Sequence, residues 1–119
     1  MDRQELGMAR IIYNSKIPRI ASLFFPVGAI TIGPIIFVRA GSASKTLLNH
    51  EKIHIEQGRE LYYVGFWALY FYYFLRGVVR FGAYEAYKSI PFEREAYGNQ
   101  ANLNYLSRRP KNNWKTYRI

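Results

Sequence analysis

The chain contains only two histidines, and they stand four residues apart in the segment His50-Glu51-Lys52-Ile53-His54. On an α-helix, residues four apart lie one turn along and about forty degrees round the axis from each other, so both imidazoles project from the same side. That spacing lets two ring nitrogens reach one zinc ion at roughly 2.0–2.1 Å, and it brings the Glu51 carboxylate close enough to hydrogen-bond a water on the metal. The chemistry that follows is hydrolytic: zinc lowers the pKa of the water, and Glu51 serves as the general base that takes its proton. Two histidines placed at random would fall at this spacing in roughly one or two cases per hundred, and the intervening Glu lowers that to about one in a thousand. A solvated surface helix with ordinary charge pairs is the plain alternative, but Leu47, Leu48, Ile53 and Ile55 supply apolar contacts on more than one side. They predict a buried helix, and buried histidines with it.

A catalytic zinc site commonly has three protein ligands and one open position for water. The chain has no cysteine and no third histidine, so the third ligand must be a carboxylate. Glu56 and Glu60 share the helix with the histidines. Glu56 points away from them, however, and Glu60 lies beyond Gly58. Glu85, Glu93 and Glu95 remain, on a later element that could fold back across the first.

The run Leu48-Asn49-His50-Glu51-Lys52-Ile53-His54-Ile55-Glu56-Gln57, followed about forty residues later by Pro91-Phe92-Glu93-Arg94-Glu95-Ala96-Tyr97, resembles the gluzincin metallopeptidases and their minimal relatives. In that family the first helix carries two His ligands and the base, and a later helix carries a Glu ligand in the pattern E-x-x-A followed by Asp or Asn. The resemblance implies Glu93 as the third zinc ligand, Ala96 as the small residue and Glu95 as the fallback ligand. Tyr97 stands where the family has an acid or amide that hydrogen-bonds behind the ligands. The segment Ala29 to Val38 also resembles the edge strand that precedes the zinc helix in such folds, where an extended peptide pairs with free backbone groups. A donor to the developing oxyanion is expected from Tyr84, Tyr87, Arg94 or Tyr97, with Tyr97 chosen among them.

These residues need a scaffold, and 119 residues with half of them apolar suffice for one domain with a modest core. The pattern predicts an α+β chain, mainly helical and zincin-like over 1–107, with a small N-terminal sheet ahead of the metal-binding helix and a basic C-terminal tail over 108–119. Candidate strands are Arg10 to Tyr13, Arg19 to Phe25, and a broken or edge strand from Ala29 to Val38 that Gly33-Pro34 keeps out of a central ladder. Ser42 and Ser44 offer N-caps for a helix from about Lys45 to Arg59. A second, aromatic helix runs from about Glu60 to Arg80 and closes at Gly82, and a third element opens at Pro91.

A net charge of +9 calls for an anionic neighbour. The last dozen residues, with Arg108, Arg109, Lys111, Lys115 and Arg118, read as a solvated tail, and no recognition motif for specific nucleic-acid binding accompanies them. Nothing at the N-terminus reads as a secretory signal, which predicts a cytoplasmic protein. The uncharged aromatic stretch Leu61 to Leu75 is short for a bilayer span; it reads as a core helix or as a helix lying at a membrane interface. Three functions follow: a zinc-dependent peptidase acting on a peptide or protein substrate, a non-catalytic zinc protein whose metal staples its helices, and a module that binds an anionic membrane surface or a partner.

Overall fold

A computed structural model describes residues 10–21 and 28–118. The chain is mixed α+β, mainly helical, with a three-stranded sheet ahead of the helix that carries the histidines. Strand β1 (Arg10–Ile12) pairs in parallel with β3 (Ile35–Val38), which pairs on its other side with β2 (Ala29–Ile32) antiparallel, in the order β1-β3-β2. Gly33-Pro34 therefore divides the expected single strand into a hairpin: Gly33 takes a φ of +59°, a turn conformation that denies the segment straight extension. Its second half becomes the central strand, and its first half the edge.

The expected strand from Arg19 is corrected to helix. Residues Ile17–Ala21 form α1, because Ser15 Oγ accepts from the Ile17 N–H (3.1 Å) and Pro18 suits a first helical turn; Ser22 to Phe25 lie outside the described residues. Helix α2 spans Lys45–Glu60, with Ser44 Oγ accepting from the Leu47 N–H at 3.0 Å as its N-cap. Nearly every residue from Asn49 to Gly58 is buried, since α2 packs against β2, β3, the aromatic helix and the helix opening at Pro91. The aromatic helix α3 (Val64–Phe81) starts later than expected. Tyr62 and Tyr63 take positive φ angles of 57° and 60°, which turns the chain sharply after α2. Gly58 permits that turn: a Cβ there would stand 2.9 Å from the Tyr63 ring.

Gly82, with φ +80°, closes α3 and leads into a short helix α4 (Ala83–Ser89) that the sequence did not announce. Helix α5 (Pro91–Asn99) opens at Pro91 as expected, and α6 (Tyr105–Arg108) and a 3-10 turn (Asn113–Tyr117) follow. The solvated-tail reading fails at two residues of this last segment. Arg109 is buried between Glu95 and Glu60, and Trp114 packs on Phe92 with ring centres 4.8 Å apart. Glu95 and Glu60 are themselves buried carboxylates, so the fold requires a cation between them, and the chain supplies it from the C-terminal segment.

Candidate metal centre

Helix α2 projects His50 and His54 side by side, and α5 crosses it with Glu93 facing them. Ala96, one turn on from Glu93, is fully buried against Ile53 of α2; its small side chain lets the two helices come close. The Nε2 atoms of His50 and His54 are 3.1 Å apart, and Glu93 Oε1 is 3.0 Å from the first and 3.1 Å from the second. Three such atoms converge only with a positive charge to share, either a proton between imidazole and carboxylate or a metal ion among them. Edges of 3.0–3.1 Å are short enough for one metal ion to meet all three atoms. Glu51 is beside it, Oε2 3.8 Å from His50 Nε2. His50, Glu51 and His54 form a buried group that could hold a metal ion, their ligand atoms all within 4.8 Å of one another.

The partners behind these residues determine which ring nitrogens face inward. His50 Nδ1 stands 2.8 Å from Gln100 Oε1 and His54 Nδ1 2.7 Å from Gln57 Oε1. The Gln57 amide is oriented independently, because its Nε2 donates to the Phe92 carbonyl and to Glu95 Oε1, each at 3.0 Å, leaving its oxygen for His54. Gln57 therefore fixes a proton on His54 Nδ1, and both imidazoles turn Nε2 to the centre. Asn49 steadies Gln100 in turn by donating to the carbonyls of Gln100 (2.8 Å) and Asn102 (3.0 Å). On the acidic side, the Tyr70 hydroxyl donates to Glu93 Oε2 at 2.7 Å, and Thr31 Oγ1 of β2 donates to Glu51 Oε1 at 3.0 Å.

Burial and charge set the protonation states. Burial disfavours the charged form of His54, but the adjacent Glu93 carboxylate outweighs it and lifts the imidazole to about 9. Glu93, although buried, is held well below the ordinary carboxylate range by His54 and His50. Burial pushes Glu51 up, against the opposing pull of both imidazoles. The hydroxyls of Tyr70 and Tyr87 are raised by burial and further by the charge of Glu93, so both remain protonated donors.

A cleft opens onto this centre, lined among others by Ala29, Ile30 and Thr31 of the edge strand and by Glu51, Tyr70 and Tyr87. Of the residues expected at the site, His50, His54, Glu93 and Glu51 come together. Glu95, the fallback ligand, does not. It is wholly buried two residues along α5, and its oxygens accept from Arg109, Tyr105 and Gln57. Tyr97 rests its ring edge-on against His50, centres 4.5 Å apart, and its hydroxyl is 2.9 Å from that of Tyr87. Tyr97 makes no hydrogen bond to an imidazole among those seen at the site; Gln100 stands behind His50 instead. Arg94 is tied to the Tyr117 carbonyl, and Tyr84 is exposed.

Gln57 could have been found in the sequence, since it stands seven residues after His50 and three after His54 on the same helix face. Tyr70 and Thr31 carry no such signal. Each reaches the site only through packing of separate elements, and Tyr70 is one of 11 tyrosines. No family model matches the chain, and comparisons with curated proteins and with solved structures find no match either.

Proposed function

We propose that this chain is a zinc-dependent metallopeptidase of gluzincin type, with His50, His54 and Glu93 holding the ion, Glu51 as general base and peptide bonds as substrate. The observation that carries this reading is the triangle of His50 Nε2, His54 Nε2 and Glu93 Oε1 with the Glu51 carboxylate alongside it. A zinc ion bound there supplies Lewis acidity, acidifying water and polarising a carbonyl. Glu51, held by Thr31 and with its pKa raised, takes a proton from the attacking water and returns it to the departing amine. Tyr87 lines the cleft as a protonated donor suited to a developing oxyanion, and Tyr97 orients it through their shared hydrogen bond. The edge strand β2 borders the cleft and suits an extended peptide, whose backbone would pair with the strand as it passes Glu51.

The test combines elemental analysis with cleavage of casein and of quenched fluorescent peptides. Glu51→Gln should retain metal and abolish cleavage, whereas His50→Ala and His54→Ala should lose metal. Cleavage by Glu51→Gln at the wild-type rate would refute the assignment, as would metal retained after loss of either histidine. One observation favours a second reading, in which Glu51 closes the coordination and the ion only staples the helices: its carboxylate lies within the same buried group as the imidazoles. Under that reading Glu51→Gln loses metal, so a single variant separates the two.

A further inference from the structure

Helix α3 buries one face and exposes another that is apolar along its whole length. Val64, Ala68, Phe71, Tyr72, Leu75 and Val79 recur at helical spacing within an arc of about a hundred degrees. Val64 is 79%, Phe71 60%, Leu75 62% and Val79 88% exposed. At the N-terminal end of the stripe, Ile32 at the hairpin tip and Trp67 join it around a shallow apolar hollow. A continuous stripe of this size is unlike the scattered apolar residues of an ordinary surface and marks something that covers it.

The charge beside the stripe identifies the cover. Arg76 and Arg80, both exposed, occupy the next arc of the same helix, and α3 contains no acidic residue. A second copy packed on the stripe would offer neither arginine a carboxylate on the facing helix. An anionic bilayer meets both needs at once, taking the apolar side chains among its acyl chains and the arginines among its headgroup phosphates. Tyr72, Tyr62 and Tyr84, more than half exposed, are suited to the interfacial layer. Among the described residues no helix is long and apolar enough to cross a membrane, so α3 would lie along the surface. We infer that this protein docks on anionic lipid membranes through the exposed apolar face of α3, flanked by Arg76 and Arg80.

The test is sedimentation of the whole chain with vesicles of phosphatidylcholine and phosphatidylglycerol (7:3) and of phosphatidylcholine alone. Wild type should bind the mixed vesicles. The double variant Leu75→Glu/Val79→Glu should bind them at least a hundredfold more weakly, on the order expected for losing two large apolar side chains and adding two acids. Arg76→Glu/Arg80→Glu should lose about tenfold or more on mixed vesicles and little on phosphatidylcholine. Should a variant fail to fold, vesicles of brominated lipid serve on wild type: quenching should strike Trp67, beside the stripe, and spare the buried Trp114, with the signal lost in Trp67→Phe. No binding to either vesicle, or binding indifferent to Leu75→Glu/Val79→Glu, overturns the inference. So does a wild-type dimer in ultracentrifugation that this variant dissociates while vesicles stay unbound, since a second copy would then be the cover. None of these readouts involves metal or hydrolysis, so the inference stands or falls apart from the proposed activity.

Discussion

Replacing Gln57 with Leu tests whether the metal site and the fold share one network. The Gln57 side chain is fully buried and makes three bonds: its oxygen accepts from His54 Nδ1 at 2.7 Å, and its nitrogen donates to the Phe92 carbonyl and to Glu95 Oε1 at 3.0 Å each. Leucine has nearly the same volume, so no large cavity opens, but the His54 N–H and the Phe92 carbonyl lose their side-chain partner. Glu95 is better protected, since Arg109 and Tyr105 still donate to it. The buried His54 N–H left unpaired costs about 1–3 kcal/mol, and smaller losses at the Phe92 carbonyl, which keeps its bond within α5, and at Glu95 bring the total to about 2–4 kcal/mol. That is a large share of the ordinary stability of a domain and lowers Tm by on the order of 10–20 °C. Loss of the acceptor behind His54 should weaken metal binding by about 10–100-fold as well. Thermal unfolding in a chelator reads the first effect, and competition with a chromophoric chelator reads the second. A variant that melts within a degree or two of wild type and binds metal within twofold of it would refute the reasoning.

Tyr70→Phe keeps the ring and removes only the hydroxyl that donates to Glu93 Oε2; metal affinity should fall about tenfold with little change in Tm, measured by the same competition. Arg109→Met strands the buried Glu95 and Glu60 carboxylates and should cost about 3–5 kcal/mol in urea unfolding, whereas the exposed Arg108→Ala should stay within about half a kcal/mol of wild type. Metal uptake should also depend on pH. His54 in the metal-free protein titrates at about 9, so near pH 7 it is protonated and the ion must displace a proton, and affinity should climb toward pH 9 and then level. Calorimetry in buffers of different ionisation enthalpy counts that proton, and a count of zero at pH 7 would contradict the assignment. The folded-state shift is upward, so the His54–Glu93 pair stabilises the metal-free protein fully below the unfolded histidine pKa, and this contribution is lost as pH rises through about 9.

Much of the candidate site was legible in the sequence because its parts are local. The pairing of His50 with His54 follows from the period of one helix. The start of that helix follows from Ser44, the end of the aromatic one from Gly82 and the opening of α5 from Pro91. The mixed α+β class with a small leading sheet was readable in the same way, from alternation in the first forty residues and helical spacing after them. Where local signals competed, they misled: the largely apolar run after Pro18 suggested a strand, but the Ser15 cap and the fixed φ of Pro18 favour a helical turn.

Tertiary structure decided what no spacing carries. Glu93 and Glu95 sit two residues apart on α5 and so face nearly opposite sides of it, and sequence offered both as ligands. The rotation of α5 against α2, set by Ala96 packing on Ile53, turned Glu93 to the imidazoles and Glu95 to Arg109. Arg109 itself looked like part of a solvated tail because the two carboxylates that need it lie 14 and 49 positions away. The same holds for Tyr70 on Glu93 and Thr31 on Glu51. A helix period reports only which residues of one segment share a face; which face meets which partner is settled by the burial of apolar surface across the whole chain.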